Sequence, residues 1–291
     1  MKILVIGGSG VIGWNLIQYL KDKANIEFTY LKNAIDDKGI CLDITQKDHT
    51  IELITQINPD IVVHTAAITN IDLCETNNNL ANSINVQGTS NIIEGCKKIN
   101  SKIVYVSTSF VFDGKKSQYH EDATPHPSTY YGFTKFQGEE LVKQSGLSYI
   151  ILRTDQPYCW IEKWQHTNSV IRVLDNLRSG RTHNEVIDWY NTPTYVPDFV
   201  QAAWKLLQDD EVGIYHLTGP EFINRYDWSL SIADVFGLNK DLIKPITSDR
   251  LDLPAKRVNV NLNNNKIIKR TGIQIRNIKN GLLEMYKSRD K

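Results

Sequence analysis

Cysteine is scarce in this chain and scattered along it. Cys41, Cys74, Cys96 and Cys159 form no Cys-x-x-Cys, and no histidine stands at ligand spacing from any of them. That distribution argues against a disulfide framework and a zinc site and favours a reducing compartment. A surplus of one charge is also missing, since Lys plus Arg and Asp plus Glu each total 33 and the formal net charge is zero. Without a basic stripe, nucleic acid is not an expected partner. No acidic cluster compels a metal site, and none is assigned. Long apolar runs are absent as well: the opening Met-Lys-Ile-Leu-Val-Ile is broken at once by Gly7 and Gly8, too early for a signal peptide or a membrane span. The expectation is a soluble cytoplasmic protein without a membrane partner. With 291 residues there is material for a large core, as one big domain or as a main domain with a smaller lobe.

What is present begins with strand and glycine. Residues 2 to 6 are apolar and β-branched, and Gly7-Gly8-Ser9-Gly10-Val11-Ile12-Gly13 then leads into Leu16, Ile17 and Leu20 at helical spacing. Strand, tight turn and amphipathic helix in that order suit dinucleotide binding, with Gly7, Gly10 and Gly13 letting the backbone approach a pyrophosphate at the helix N-terminus. The spacing is Gly-x-x-Gly-x-x-Gly rather than the commoner Gly-x-Gly-x-x-Gly, and a plain glycine-rich turn is the competing reading. A second strand is expected at Glu27–Leu31. It brings no acid for a ribose 2′-hydroxyl before Asp36; Lys32 could instead neutralise a 2′-phosphate, or be a solvated loop lysine. This favours NADP(H), with NAD(H) as the alternative. A third strand is expected to end at Leu42-Asp43-Ile44, where Asp43 could accept from an adenine amine.

Ile61–Ala67 reads as a further buried strand ending in Thr65, Ala66 and Ala67, small residues against which a cofactor could lie. His64 inside that run reads as a core histidine rather than a catalyst. Asn85 falls within the next helical pattern, where its amide could hold a water or bend the backbone, or simply face solvent. Lys102–Val106 is the fifth strand and delivers Ser107 and Thr108 to its carboxyl end, where ligands sit in open parallel sheets. After a polar loop over residues 115 to 129 comes a helix with Tyr131 and Lys135 one turn apart, then a sixth strand at 148 to 153. Tyr-x-x-x-Lys is a weak signal alone, since Tyr19 and Lys23 repeat it on a helix face expected to be solvated. Alternating strands and helices over about 150 residues make the fold class α/β, a doubly wound parallel sheet. Beyond Thr154 the texture changes, with Trp160, Trp164, Trp189 and Tyr190 among scattered charges.

In their order, Gly-Gly-Ser-Gly-Val-Ile-Gly, Thr-Ala-Ala, Asn-Val-Gln-Gly-Thr, Ser-Thr-Ser-Phe-Val-Phe-Asp-Gly, Tyr-Gly-Phe-Thr-Lys, Pro-Thr-Tyr-Val-Pro-Asp, Tyr-His-Leu-Thr-Gly and Pro-Ala-Lys-Arg cover nearly the whole chain. The set resembles an extended short-chain dehydrogenase/reductase, and within that superfamily the dTDP-4-dehydrorhamnose reductase family. The resemblance implies a Rossmann domain over 1–154 and a smaller C-terminal lobe over 155–291 that mainly binds substrate, with about 190–220 returning to the first domain. It implies a nucleotide-linked 4-keto-6-deoxy sugar as substrate, and a homodimer in some members. Two departures bear on the sugar: Ser109-Phe110 stands where the family has Asp-Tyr, and Tyr158-Cys159 where it has Tyr-Gly.

On that resemblance Thr108, Tyr131 and Lys135 are the expected catalytic residues. Thr108 would also hold the substrate carbonyl, Tyr131 would protonate the forming alkoxide, and Lys135 would lower the Tyr131 pKa and hold the nicotinamide ribose. Cofactor contacts are expected from Gly7, Gly10, Val11, Ile12, Gly13, Lys32, Asp43, Ile44, Thr65, Ala66, Ala67, Ser107, Tyr131 and Lys135. For the nucleoside diphosphate, Trp189, Thr194, Tyr195 and Arg257 could supply stacking and a bidentate guanidinium, or Trp189 and Tyr195 could be lobe packing. A dehydratase would need an Asp-Glu pair where Ser109 and Phe110 stand. A nucleotide-sugar 4-epimerase is an alternative, as is a regulatory cofactor-binding partner like the β subunit of methionine adenosyltransferase, which the chain also resembles.

Overall fold

The computed structural model describes residues 1–34 and 38–288. In chain order its strands are β1 (Lys2–Ile6), β2 (Asn25–Tyr30), β3 (Ile40–Cys41), β4 (Ile61–His64), β5 (Lys102–Thr108), β6 (Tyr149–Thr154), β7 (Pro157–Tyr158), β8 (His183–Val186), β9 (Tyr190–Asn191), β10 (Thr194–Tyr195), β11 (Gly213–His216), β12 (Ile223–Asn224) and β13 (Ile243–Ile246). The helices that matter below are α1 (Val11–Leu20), α2 (Lys47–Ile57), α3 (Ile71–Thr76), α4 (Asn78–Asn82), α5 (Thr89–Ile99), α6 (Tyr130–Lys143), α7 (Ser169–Arg178), α8 (Val196–Gln208) and α9 (Arg225–Phe236). Seven strands form one parallel sheet in the order β11-β6-β5-β4-β1-β2-β3. The chain runs outward from β1 to β3 and then crosses to β4 on the other side of β1. That reversal opens a crevice at the carboxyl ends of β1 and β4, where open α/β sheets place ligands.

Side chains alternate across a strand, so a sheet covered on both sides needs apolar residues at successive positions. In β1, Ile3 and Val5 enter a core with Leu16, Ile17 and Leu20 of α1 and Phe199, Val200 and Ala203 of α8. Leu4 and Ile6 enter the opposite core with Ile54 of α2 and Ile92, Ile93 and Cys96 of α5. A third core, built on Tyr158, Val170, Leu174, Trp228 and Ile232, belongs to the C-terminal lobe between α7 and α9. The chain therefore leaves the sheet after β6, builds part of the lobe, returns through α8 and β11, and leaves again.

Local boundaries differ from the pattern in small ways. β3 ends at Cys41, and Asp43 turns the chain instead, accepting from the backbone N–H and hydroxyl of Thr45 at 2.9 and 2.7 Å. α9 starts at Arg225 because the Asn224 side chain caps it, accepting from the Asp227 N–H. Asn85 lies in a π-helical segment, Ser83–Gly88, where it is 1 % exposed. Asp36 is outside the described residues.

Candidate active site

The turn after β1 is shaped by crowding. Gly7 has φ +91°, and a Cβ there would come 2.6 Å from the Ala66 nitrogen; a Cβ on Gly13 would collide with the Gly7 carbonyl. Only glycine lets the turn lie this close to the end of β4. The Thr65 hydroxyl braces the same spot, donating to the carbonyls of Ile6 and Gly7 at 2.9 and 3.0 Å. No side chain caps the N-terminus of α1, and its first turn carries no acid. An uncapped N-terminus beside an open glycine turn suits a phosphate, so the residues present fit the pyrophosphate of a dinucleotide. Val11, Ile12, Thr65, Ala66 and Ala67 are half-buried around this turn, and Lys32 is exposed just beyond β2. Ile44 is buried, and its carbonyl accepts from Asn91 at 2.9 Å.

Asn85 joins this rim to α6. Its side-chain oxygen accepts from the Ile68 N–H at 2.9 Å, and its amide donates to the Ile68 carbonyl at 3.1 Å and the Thr134 hydroxyl at 3.0 Å. The loop after Thr65-Ala66-Ala67 is thus tied to the turn of α6 between Tyr131 and Lys135. His64, 1 % exposed, is a core residue. The Thr89 hydroxyl gives its proton to the Asn85 carbonyl, so His64 Nε2 donates to Thr89 at 3.0 Å and the ring is the neutral Nε2–H tautomer. Burial holds its pKa well below the usual value, assisted by Lys135.

Thr108 ends β5, and Tyr131 and Lys135 share one face of α6; all three are buried. Burial pushes the Tyr131 phenol well above its ordinary pKa, the Thr108 hydroxyl offsets part of this, and Cys74 and Asp155 add to it. Lys135 is pulled down to about 7 by burial, with Glu139 acting in the opposite sense. Its Nζ sits 4.0 Å from the centre of the Tyr105 ring. The expected picture of an ammonium lowering the Tyr131 pKa is therefore revised for the protein by itself. Desolvation works against the charged form of both groups, so the phenol stays protonated and the amine titrates near neutrality.

Ser107, expected to contact the cofactor, is buried at the end of β5. Its hydroxyl donates to Glu139 Oε1 at 2.6 Å, and Arg153 grips the same carboxylate with Nε and Nη2 at 2.9 and 2.7 Å. This buried pair, 1 % and 0 % exposed, went unread in the sequence. The available signals were an acid one turn beyond Lys135 and an arginine closing an apolar strand. A second carboxylate, Asp155, joins the two halves of the cleft. It accepts from the Ser109 hydroxyl at 3.0 Å and from the Thr192 N–H at 2.8 Å. Burial raises its pKa, while Thr192, Ser109, Asn191 and Arg225 work against the rise.

The four residues proposed to meet a nucleoside diphosphate are not alike. Thr194 is fully buried and donates to the Asp155 carbonyl at 2.7 Å. Tyr195 packs in the lobe core, its ring centroid 5.6 Å from that of Tyr158. Trp189 is half-buried, with the Arg257 guanidinium 5.6 Å from its ring centre. That guanidinium already holds Asp72 of α3 bidentately, at 2.9 and 2.6 Å. Among the described residues no group of three or more His, Cys, Asp or Glu could hold a metal ion, and no helix is long and apolar enough to cross a membrane.

A model of the RmlD substrate binding domain matches residues 1–290. The chain is 32 % identical to the dTDP-4-dehydrorhamnose reductase of Aggregatibacter actinomycetemcomitans, covering 94 % of each protein. It is 27 % identical to methionine adenosyltransferase 2 subunit beta of Xenopus laevis, over 92 % of this chain and 82 % of that protein. The crystal structure of dTDP-4-dehydrorhamnose reductase from Bacillus anthracis in complex with NADP superposes with a TM-score of 0.89 at 25 % identity, covering 98 % of each chain. Seven parallel strands, a glycine turn at the switch point and a Tyr–Lys helix beside it agree with these likenesses, and the chain belongs to the RmlD substrate binding domain family.

Proposed function

We propose that the chain is an NADPH-dependent reductase of a nucleotide-linked 4-keto-6-deoxy sugar. The observation that carries this reading is the convergence of Thr108, Tyr131 and Lys135, all buried, at the carboxyl end of the sheet beside the glycine turn. When bound, the reduced nicotinamide supplies the hydride. The chain's own part is to hold the carbonyl oxygen between the Thr108 hydroxyl and Tyr131 and to protonate the alkoxide that forms. A phenol kept protonated by burial is ready to donate, and an amine near neutrality one turn away can pass a proton on to it. Gly7, Gly10, Val11, Ile12 and Gly13 would hold the pyrophosphate, Lys32 the 2′-phosphate and Asp43 the adenine. In the lobe, half-buried Trp189 would stack on a base.

The test is nicotinamide absorbance with NADPH and NADH against dTDP-, UDP- and GDP-linked 4-keto-6-deoxy sugars. Oxidation of NADPH by one of them, lost in Tyr131→Phe with cofactor affinity kept, is the expected result. A Tyr131→Phe variant with comparable turnover would refute the assignment, and turnover without net oxidation would mark an epimerase. A regulatory, cofactor-binding role like that of a methionine adenosyltransferase β subunit is the second reading. It is favoured by the Asp72 carboxylate that already occupies Arg257, the guanidinium expected to grip the substrate. Co-purification with a synthetase, together with no turnover on the whole panel, would establish it.

A further inference from the structure

The segment 160–166 leaves the lobe and lies against three parts of the chain that border the glycine turn. Gln165 Nε2 donates to the Ser9 carbonyl inside the turn at 3.2 Å. Trp14, in the first turn of α1, donates its indole N–H to Glu162 Oε1 at 3.3 Å and meets the Trp164 ring edge to face at 5.8 Å. Asn33, just past β2, donates to the Trp164 carbonyl at 3.1 Å. The segment is braced from within, as the Glu162 N–H donates to Gln165 Oε1 at 3.0 Å. It is anchored at its start by the Trp160 indole, which donates to the Met285 carbonyl at 2.6 Å. So a stretch far along the sequence spans from the phosphate turn to the end of β2, the two places that flank the adenosine diphosphate half of a dinucleotide.

One atom in this segment is unexplained by packing. The Trp164 indole N–H is buried and has no hydrogen-bond partner. An indole nitrogen can only donate, and a buried donor without an acceptor is costly. Lys32 and Lys163, the residues before Asn33 and Trp164 in the sequence, are both exposed. A buried donor without an acceptor, in a segment that touches the glycine turn, calls for an acceptor supplied from outside the chain.

We propose that residues 160–166 form a clasp over the adenosine diphosphate half of the bound dinucleotide, with Gln165 bracing the glycine turn and the Trp164 N–H donating to the ligand. This rests on the dinucleotide reading of the turn and adds to it a binding element supplied by the lobe. The test measures dissociation constants for NADPH, ADP-ribose and reduced nicotinamide mononucleotide in the wild type, Trp164→Phe and Gln165→Ala, with a thermal melt of each. The expected result is that both variants bind NADPH and ADP-ribose about tenfold more weakly, the scale of one hydrogen bond, and bind the mononucleotide as the wild type does. Wild-type affinity for ADP-ribose in both folded variants overturns the clasp, and so does an equal loss for all three ligands. Gln165→Ala removes one amide from a half-buried position, so the test survives if Trp164→Phe does not fold. A wild-type protein that binds none of the three probes overturns the dinucleotide reading itself.

Discussion

Replacing Lys135 with Met removes an ammonium from a buried place and keeps an unbranched side chain of similar length. Lys135 is 3 % exposed, and burial takes its pKa from 10.5 to about 7. The unfolded chain therefore binds one more proton than the folded protein between those two values. Stability must rise with pH across that window and become flat below about pH 7, because under it both states are protonated. At about 1.4 kcal/mol per pH unit, and allowing for half-titration at the lower end, the gain between about pH 7 and 9 is roughly 2 kcal/mol. Every other titrating group is common to the two proteins and cancels in the difference between them. The assay is urea unfolding of the wild type and Lys135→Met at several pH values in that range. The wild type should gain roughly 2 kcal/mol on the variant as pH rises. A constant difference would show that Lys135 keeps an ordinary pKa and would remove the argument that it exchanges a proton near neutrality.

Glu139→Gln leaves the Arg153 guanidinium buried without a countercharge and should cost about 3–5 kcal/mol in denaturant unfolding; a loss below about 1 kcal/mol would mean that water reaches the pair. Gly7→Ala forces a Cβ to 2.6 Å from the Ala66 nitrogen at φ +91° and should destabilise by at least about 2 kcal/mol. Gly10→Ala meets nothing closer than the Gly7 carbonyl at 3.3 Å, so it should melt nearly as the wild type does while binding NADPH at least about tenfold more weakly; unchanged affinity would place the phosphates elsewhere. Asp155→Asn removes a carboxylate that raises the Tyr131 pKa, so the alkaline limb of the reductase pH–rate profile should move to lower pH, and an unmoved limb would take Asp155 out of the catalytic electrostatics.

The features legible in the sequence are those set by short-range periodicity. Lys2–Ile6 with Gly7 and Gly13 specifies strand, turn and helix within twenty residues. The four-residue spacing of Tyr131 and Lys135 puts both on one helix face wherever that helix packs. The same spacing at Tyr19 and Lys23 yields a local contact, with the ammonium 4.1 Å from the ring centre and donating to the Tyr19 carbonyl. It is the position of α6 against β5, and not the motif, that separates the two pairs. Glu139 stands one turn past Lys135, but its partner Arg153 comes from β6.

The C-terminal lobe was the least legible because its side chains are spent on partners far away in sequence. Arg257 pairs with Asp72, 185 residues before it, and no local pattern records that the guanidinium is already held. Thr194 and Tyr195 look like substrate contacts in a polar, aromatic stretch, yet the Asp155 carbonyl and the Tyr158 ring claim them. The sequence by itself determined the parallel α/β sheet, the glycine turn and the Tyr–Lys pair, because alternation and helical spacing are local. Only the tertiary structure decided which charges are desolvated and which are already paired, because burial and long-range partners exist only once the chain has closed on itself.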